Sequence, residues 1–287
     1  MIYQDLCEIC GEINEITNPQ CDNCGKMNDR PVNVRRVSME KERNTLFFNF
    51  ENTKAQLETI GLGKEVEYVK NYVSNKGMAI LNTNLDFIWK WLLTNSAEYV
   101  GYRRQIIDNL RLKAVFKNDV DRTTADSILY GSENDFVYGA LTTNETGLSN
   151  YGKVSVLLKT SFISERTSLM IENSFDYIYK QTKNKWAFGD PLPTGAMSSW
   201  DDKGLLATVK VSSSIKPSIS DLEIDDLILQ SGTDRSKDQF IEIHINGKIV
   251  KSNVEKLIFD KKHTTTFNRW QKLRYAELSR LLNVENR

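Results

Sequence analysis

Phe240-Ile241-Glu242-Ile243-His244-Ile245 is the stretch on which the fold of this 287-residue chain turns. Side chains along a strand point alternately to its two faces. Ile241, Ile243 and Ile245 therefore share one face, and that face must be core. Phe240, Glu242 and His244 share the other. Glu242 thus projects from a well-anchored strand between an aromatic ring and an imidazole. Taken alone, it reads as a solvated glutamate on a half-exposed strand.

Working outward, residues 154–159 alternate, with Val154, Val156 and Leu158 on one side. Thr167, Leu169 and Ile171 alternate again, and residues 205–211 form another β-rich run. The acidic run 221–226 reads as loop. Upstream the pattern is helical. Ser38 suits a helix cap, and Glu40 and Glu42 fall in a first turn, where the helix dipole favours them. Leu46, Phe50, Leu57 and Ile60 suit one stripe, and Gly61-Leu62-Gly63 breaks it. Residues 65–75 read as a second helix, 78–81 as a strand, 86–93 as a helix and 265–282 as a closing helix. Helices early and a mostly antiparallel sheet late define an α+β class.

Composition sets the outer bounds. Lys+Arg and Asp+Glu are both 38, so the net charge is zero and a polyelectrolyte is excluded. Two histidines, His244 and His263, are too few for a metal enzyme built on imidazoles. The longest apolar run, near 87–93, is interrupted by Lys90, far short of the ~20 residues a membrane span needs. The opening MIYQDLCEIC lacks a basic and an apolar signal region, so a cytoplasmic protein is expected.

All four cysteines, Cys7, Cys10, Cys21 and Cys24, fall in one short stretch spaced C-x2-C-x10-C-x2-C. Gly11 and Gly25 follow the second cysteine of each pair, where the backbone must turn tightly around an ion. Two such knuckles supply four thiolates to one tetrahedral Zn2+, and four protein ligands make the site structural rather than catalytic. With Asn14 the pattern becomes C-x2-C-x3-N-x6-C-x2-C, which resembles the RanBP2-type zinc finger. Some members of that family bind single-stranded RNA and others bind protein. Residues 1–30 carry six acidic and two basic side chains, which opposes phosphate binding and favours a structural or partner-docking ribbon.

Gly147-x4-Gly152-Lys153 is not a phosphate loop, because Val154 stands where a magnesium-binding hydroxyl belongs and a strand follows. Neither histidine sits in a nucleophile motif. Three other segments, Gly101-Tyr102-Arg103-Arg104-Gln105, Ser164-Glu165-Arg166-Thr167-Ser168 and Phe240-Ile241-Glu242, together resemble the arginine–serine–glutamate class of ADP-ribosyltransferases. The stretches 137–141, 151–154, Arg166-Thr167 with Asn173-Ser174, and 240–247 also look like a bacterial family of unknown function. The resemblance covers about residues 78–262. It implies a split β-sandwich and NAD+ as co-substrate. It further implies Arg103 as a phosphate clamp, with Tyr102, Arg166 and Phe240 in the dinucleotide site. Ser168 or Thr167 would position the carboxylate, and Glu242 would stabilise a ribosyl cation. The protein would be a mono-ADP-ribosylating toxin or phage-defence effector restrained by an antitoxin.

The implied organisation is a zinc ribbon at 1–32, a helical connector at 33–77 and an ADP-ribosyltransferase-like domain at 78–287. Residues 246–287 hold ten Lys+Arg against four Asp+Glu. Lys261, Lys262, Arg269, Lys272 and Arg274 interleave there with Phe267, Trp270 and Tyr275, which suits single-stranded nucleic acid, RNA before DNA. The plainer reading is an amphipathic closing helix with Trp270, Leu273, Leu278 and Leu281 in the core. A protein acceptor, or a non-enzymatic zinc-ribbon adaptor, are the alternatives.

Overall fold

The computed structural model describes residues 4–7, 9–15, 17–93, 98–101, 104–105, 125–130, 135–182 and 193–287. Two short strands, β1 (Gln4–Leu6) and β2 (Ile13–Glu15), pair antiparallel around the cysteines. Helices α1 (Val32–Ser38), α2 (Glu40–Thr59) and α3 (Gly63–Lys76) follow. Then come β3 (Met78–Thr83), α4 (Leu85–Leu93), β4 (Glu98–Tyr99), β5 (Phe136–Thr142) and β6 (Val154–Leu158). The later strands are β7 (Thr167–Met170), β8 (Met197–Ser199), β9 (Leu229–Gln230), β10 (Gln239–Phe240), β11 (Glu242–Asn246), β12 (Ile249–Val250), β13 (Val254–Phe259) and β14 (Val284–Asn286).

Eight of these strands form one sheet in the order β14-β13-β6-β3-β5-β11-β7-β8. Every neighbouring pair is antiparallel except β13 and β14. The chain is thus α+β, with a large mixed sheet behind a small cysteine ribbon. Alternation divides the sheet into two faces. Leu81, Val137, Val156, Leu169, Ile243 and Ile245 point into the main core, which Val66, Val69 and Val73 of α3 also enter. Burying each such side chain stabilises the fold by roughly 1.5–3 kcal/mol. Glu242, His244, Ser168 and Met170 occupy the opposite face, where Val32 and Val37 of α1 pack beside residues 125–130 and Tyr177.

Three sequence expectations are corrected. Residues 205–211 are not a strand but part of the helix Lys203–Val211. That helix meets α3 closely: a Cβ on Gly204 would lie 2.5 Å from the Lys70 carbonyl oxygen. The acidic run at 221–226 lies in the helix Asp221–Ile228, where Ser220 and Glu223 form a capping box. Ser38 ends α1 instead of capping α2, and its hydroxyl donates to the Val34 carbonyl at 2.8 Å.

Helices α1 and α2 are locked at their junction by a buried ion pair. Arg36 Nη1 lies 3.1 Å from Glu42 Oε2, and Glu42 Oε1 accepts from the Gly195 and Met197 amides. Arg35 of α1 reaches back to the ribbon, donating to the Asn18 carbonyl at 3.3 Å. Residues 33–77 therefore pack directly on both faces of the sheet, α1 on the Glu242 side and α2 and α3 on the other. No helix among the described residues is long and apolar enough to cross a membrane.

Candidate functional site

Glu242 is 1% exposed, so it is not a solvated surface residue. Its strand, β11, is paired on both sides, and Glu242 stands opposite Ala140 of β5 and Met170 of β7. Its Oε2 accepts from the Ser174 amide at 2.7 Å, at the start of the helix Ser174–Thr182. The same oxygen is 3.0 Å from His244 Nε2. The imidazole, itself fully buried, is bonded through Nδ1 to the Tyr130 hydroxyl. Tyr130 Oη is 3.3 Å from Ser168 Oγ, and Ser168 Oγ is 3.2 Å from Asn33 Nδ2 on α1. Burial holds the Tyr130 phenol well above its usual pKa, so it keeps its proton.

The carboxylate side of this network opens on a cleft of about 480 Å³ lying across β3, β5 and β11. Tyr138, Tyr151, Phe240, Gln105, Arg235 and Glu242 are among its lining residues. Glu242 is the single acid and Arg235 the single base among the described residues that line it. Arg235 sits in the loop between β9 and β10. Its guanidinium lies 4.7 Å over the Tyr151 ring, and its Nε donates to the Asn150 carbonyl at 3.0 Å.

Ser168, Phe240 and Glu242 thus meet around one face, Ser168 through Tyr130 and His244. Thr167 does not join them. It opposes Ile245 on the core face, and its hydroxyl donates to the Ile163 carbonyl at 2.7 Å. Arg166 is turned away from the cleft. It donates to the carbonyls of Phe162, Asn246 and Lys248, which fixes the turn after β11. Tyr102 and Arg103 lie outside the described residues. Asn33, Tyr130 and Arg235 were not foreseen. The one signal available for Arg235 was its place in the loop just before the Glu242 strand.

The cysteine cluster is compact. Cys7 and Cys24 sulfurs lie 3.6 Å apart, as do those of Cys10 and Cys21, and all four lie within 4.8 Å of one another. Sulfurs bound tetrahedrally at ~2.3 Å from Zn2+ have this separation. Gly11 and Gly25 take φ of 73° and 70°, and their amides donate to the Cys7 and Cys21 carbonyls. The Cys24 amide, hydrogen-bonded to Cys21, does most to pull that thiol down to about 6. At Cys24 the Lys26 amide is outweighed by desolvation and the neighbouring thiols, which hold that thiol up to about 12, so without an ion the negative charge gathers on Cys21. Asn14 Nδ2 lies 3.5 Å from Cys21 Sγ while Oδ1 accepts from the Asp22 amide, so this side chain braces the ligand set. The arrangement is compatible with one structural zinc.

On the closing helix, Arg269–Leu281, and the short helix Lys261–Thr265 before it, only part of the expected basic surface is open. Lys261, Lys262, Arg269 and Lys272 are exposed. Arg274 instead pairs with Asp86 and covers the Trp89 ring at 4.7 Å. Phe267 is buried, and Tyr275 packs edge-on against Phe259. The core placement of Trp270, Leu273 and Leu281 is corrected too: all three are exposed, Trp270 by 70%, and Leu278 alone of the four is buried. Asn268 and Gln271 form a capping box at the start of the helix.

No protein-family model matches this chain, and a comparison with curated proteins finds no relative. The functional reading therefore stands on the geometry and on the sequence resemblance.

Proposed function

We propose that this protein is an ADP-ribosyltransferase that uses NAD+, with Glu242 as its catalytic carboxylate. The observation that carries the reading is a buried glutamate on a fully paired strand, at the edge of a cleft lined by aromatic rings and one arginine. The neighbouring of the Glu242 and Ser168 strands, β11 and β7, supports the same reading.

Glu242 would accept a hydrogen bond from a ribose hydroxyl and stabilise positive charge on the ribosyl carbon. The bond from that carbon to the nicotinamide nitrogen breaks, and its electron pair leaves with neutral nicotinamide. The acceptor's nucleophilic atom then bonds to the same carbon and gives up its proton. A fixed carboxylate in a site of low dielectric contributes most to such a step because it need not reorganise. Arg235 would hold a phosphate of the diphosphate, and Tyr138 and Tyr151 would border the bases, with the buried Phe240 backing Tyr151 edge-on. The zinc ribbon takes no part in the chemistry.

For the acceptor we favour single-stranded RNA. Lys261, Lys262, Arg269 and Lys272 are open to solvent, and so is the indole of Trp270. Incubation of the whole protein with labelled NAD+ and separate samples of RNA, DNA and protein tests this. Label in RNA is expected; label in protein alone would overturn the acceptor assignment.

A further inference from the structure

The hydrogen bonds behind Glu242 form a chain that can run in one direction from Asn33 to the carboxylate. Asn33 Nδ2 lies 2.9 Å from the His244 carbonyl and 3.2 Å from the Arg166 carbonyl. Two carbonyl oxygens around one atom fix that atom as the amide nitrogen, a donor. Ser168 Oγ, 3.2 Å from the same nitrogen, can accept there, the nitrogen sharing one of its two hydrogens with a carbonyl, and in that arrangement the serine's own proton is left for Tyr130 Oη. Tyr130, whose oxygen is then an acceptor from Ser168, gives its own proton to His244 Nδ1. A neutral imidazole that accepts at Nδ1 carries its proton on Nε2, and Nε2 faces Glu242 Oε2 at 3.0 Å.

We propose that His244 is the positioning residue for Glu242, held as the neutral Nε2–H tautomer by the chain Asn33–Ser168–Tyr130. Its catalytic consequence rests on the reading of Glu242 given above; its tautomer does not. The imidazole N–H and the Ser174 amide together aim two donors at Oε2, which fixes the carboxylate's rotation. The chain starts on α1, the helix that follows the ribbon, so the segment next to the metal centre takes part in setting the carboxylate. A serine that contacts the glutamate directly is not needed, because the imidazole occupies that position.

Two experiments on the full chain test this. The protein has two histidines, so the imidazole nitrogens can be resolved by 15N NMR, with His263→Gln assigning the pair. A neutral Nε2–H signal for His244 at pH 7, lost or mixed in Tyr130→Phe, is expected. An Nδ1–H tautomer, or an imidazolium, would overturn the proposal whatever the enzyme does. In NAD+ cleavage, His244→Leu should lower kcat about 10²-fold with KM nearly unchanged, as loss of one aimed donor does. His244→Gln, which keeps an N–H for the carboxylate, should recover most of that. Tyr130→Phe should cost about tenfold in the native background and nothing further in His244→Leu, since residues acting through one another are not additive. Equal losses in His244→Gln and His244→Leu, or an undiminished Tyr130→Phe effect in the double variant, would refute the positioning role. A native protein that shows the expected tautomer yet cleaves no NAD+ would refute the reading of Glu242 and leave the hydrogen-bond chain standing.

Discussion

Ser168 stands directly opposite His244 in the pairing of β7 with β11, and Glu242 is one pleat further along, opposite Met170. The hydroxyl expected to hold the glutamate therefore reaches it through Tyr130 and the imidazole.

Arg235 is the cation of the cleft among the described residues. Arg235→Ala should raise KM for NAD+ by about 10- to 100-fold, the usual worth of a hydrogen bond to a charged group, with kcat largely kept. Steady-state kinetics decide it. A fall in kcat at unchanged KM would place Arg235 elsewhere in the reaction.

Removing one member of the buried Arg36–Glu42 pair leaves the other buried without its ionic partner. Glu42→Ala also frees the Gly195 and Met197 amides. Either Glu42→Ala or Arg36→Ala should lower unfolding stability by about 3–5 kcal/mol in denaturant titrations. A loss under 1 kcal/mol would contradict the buried pairing.

Much of this architecture was visible in the sequence, because burial on one face imposes a period. The run 240–245 shows its isoleucine face plainly, and the two C-x2-C knuckles specify their own geometry. Residues 205–211 misled because β-branched and apolar residues there are buried within a helix, whose close contact with α3 depends on Gly204. The choice between Ser168 and Thr167 is a question of strand phase, and one residue of phase exchanges the two faces. Asn33 gave no signal at all: a polar residue two positions past Pro31 looks like linker until α1 is seen lying against the sheet.

The ribbon should carry about one zinc per chain, measured by elemental analysis. Cys7→Ser or Cys24→Ser should release it. Asn14→Ala, which removes the brace on Cys21, should weaken retention against a chelator by about 10- to 100-fold. Native protein purified without zinc, or holding disulfides under reducing conditions, would contradict the metal assignment.

On the closing helix, Arg269→Glu with Lys272→Glu should reduce RNA labelling while leaving nicotinamide release intact. Neither residue approaches the cleft, and both are exposed. Arg274→Glu is a poorer probe because it also breaks the contacts with Asp86 and Trp89. Equal loss of labelling and nicotinamide release in the double variant would mean that the helix serves the fold and not the acceptor.

The most direct test compares nicotinamide release from NAD+ by the native protein and by Glu242→Gln, a substitution that keeps the side chain's shape and removes its charge. The native protein is expected to release nicotinamide, and the variant about 10²–10³-fold more slowly, with its stability little changed. Release at the native rate by Glu242→Gln, or none from folded native protein, would contradict the assignment of Glu242 as the catalytic carboxylate.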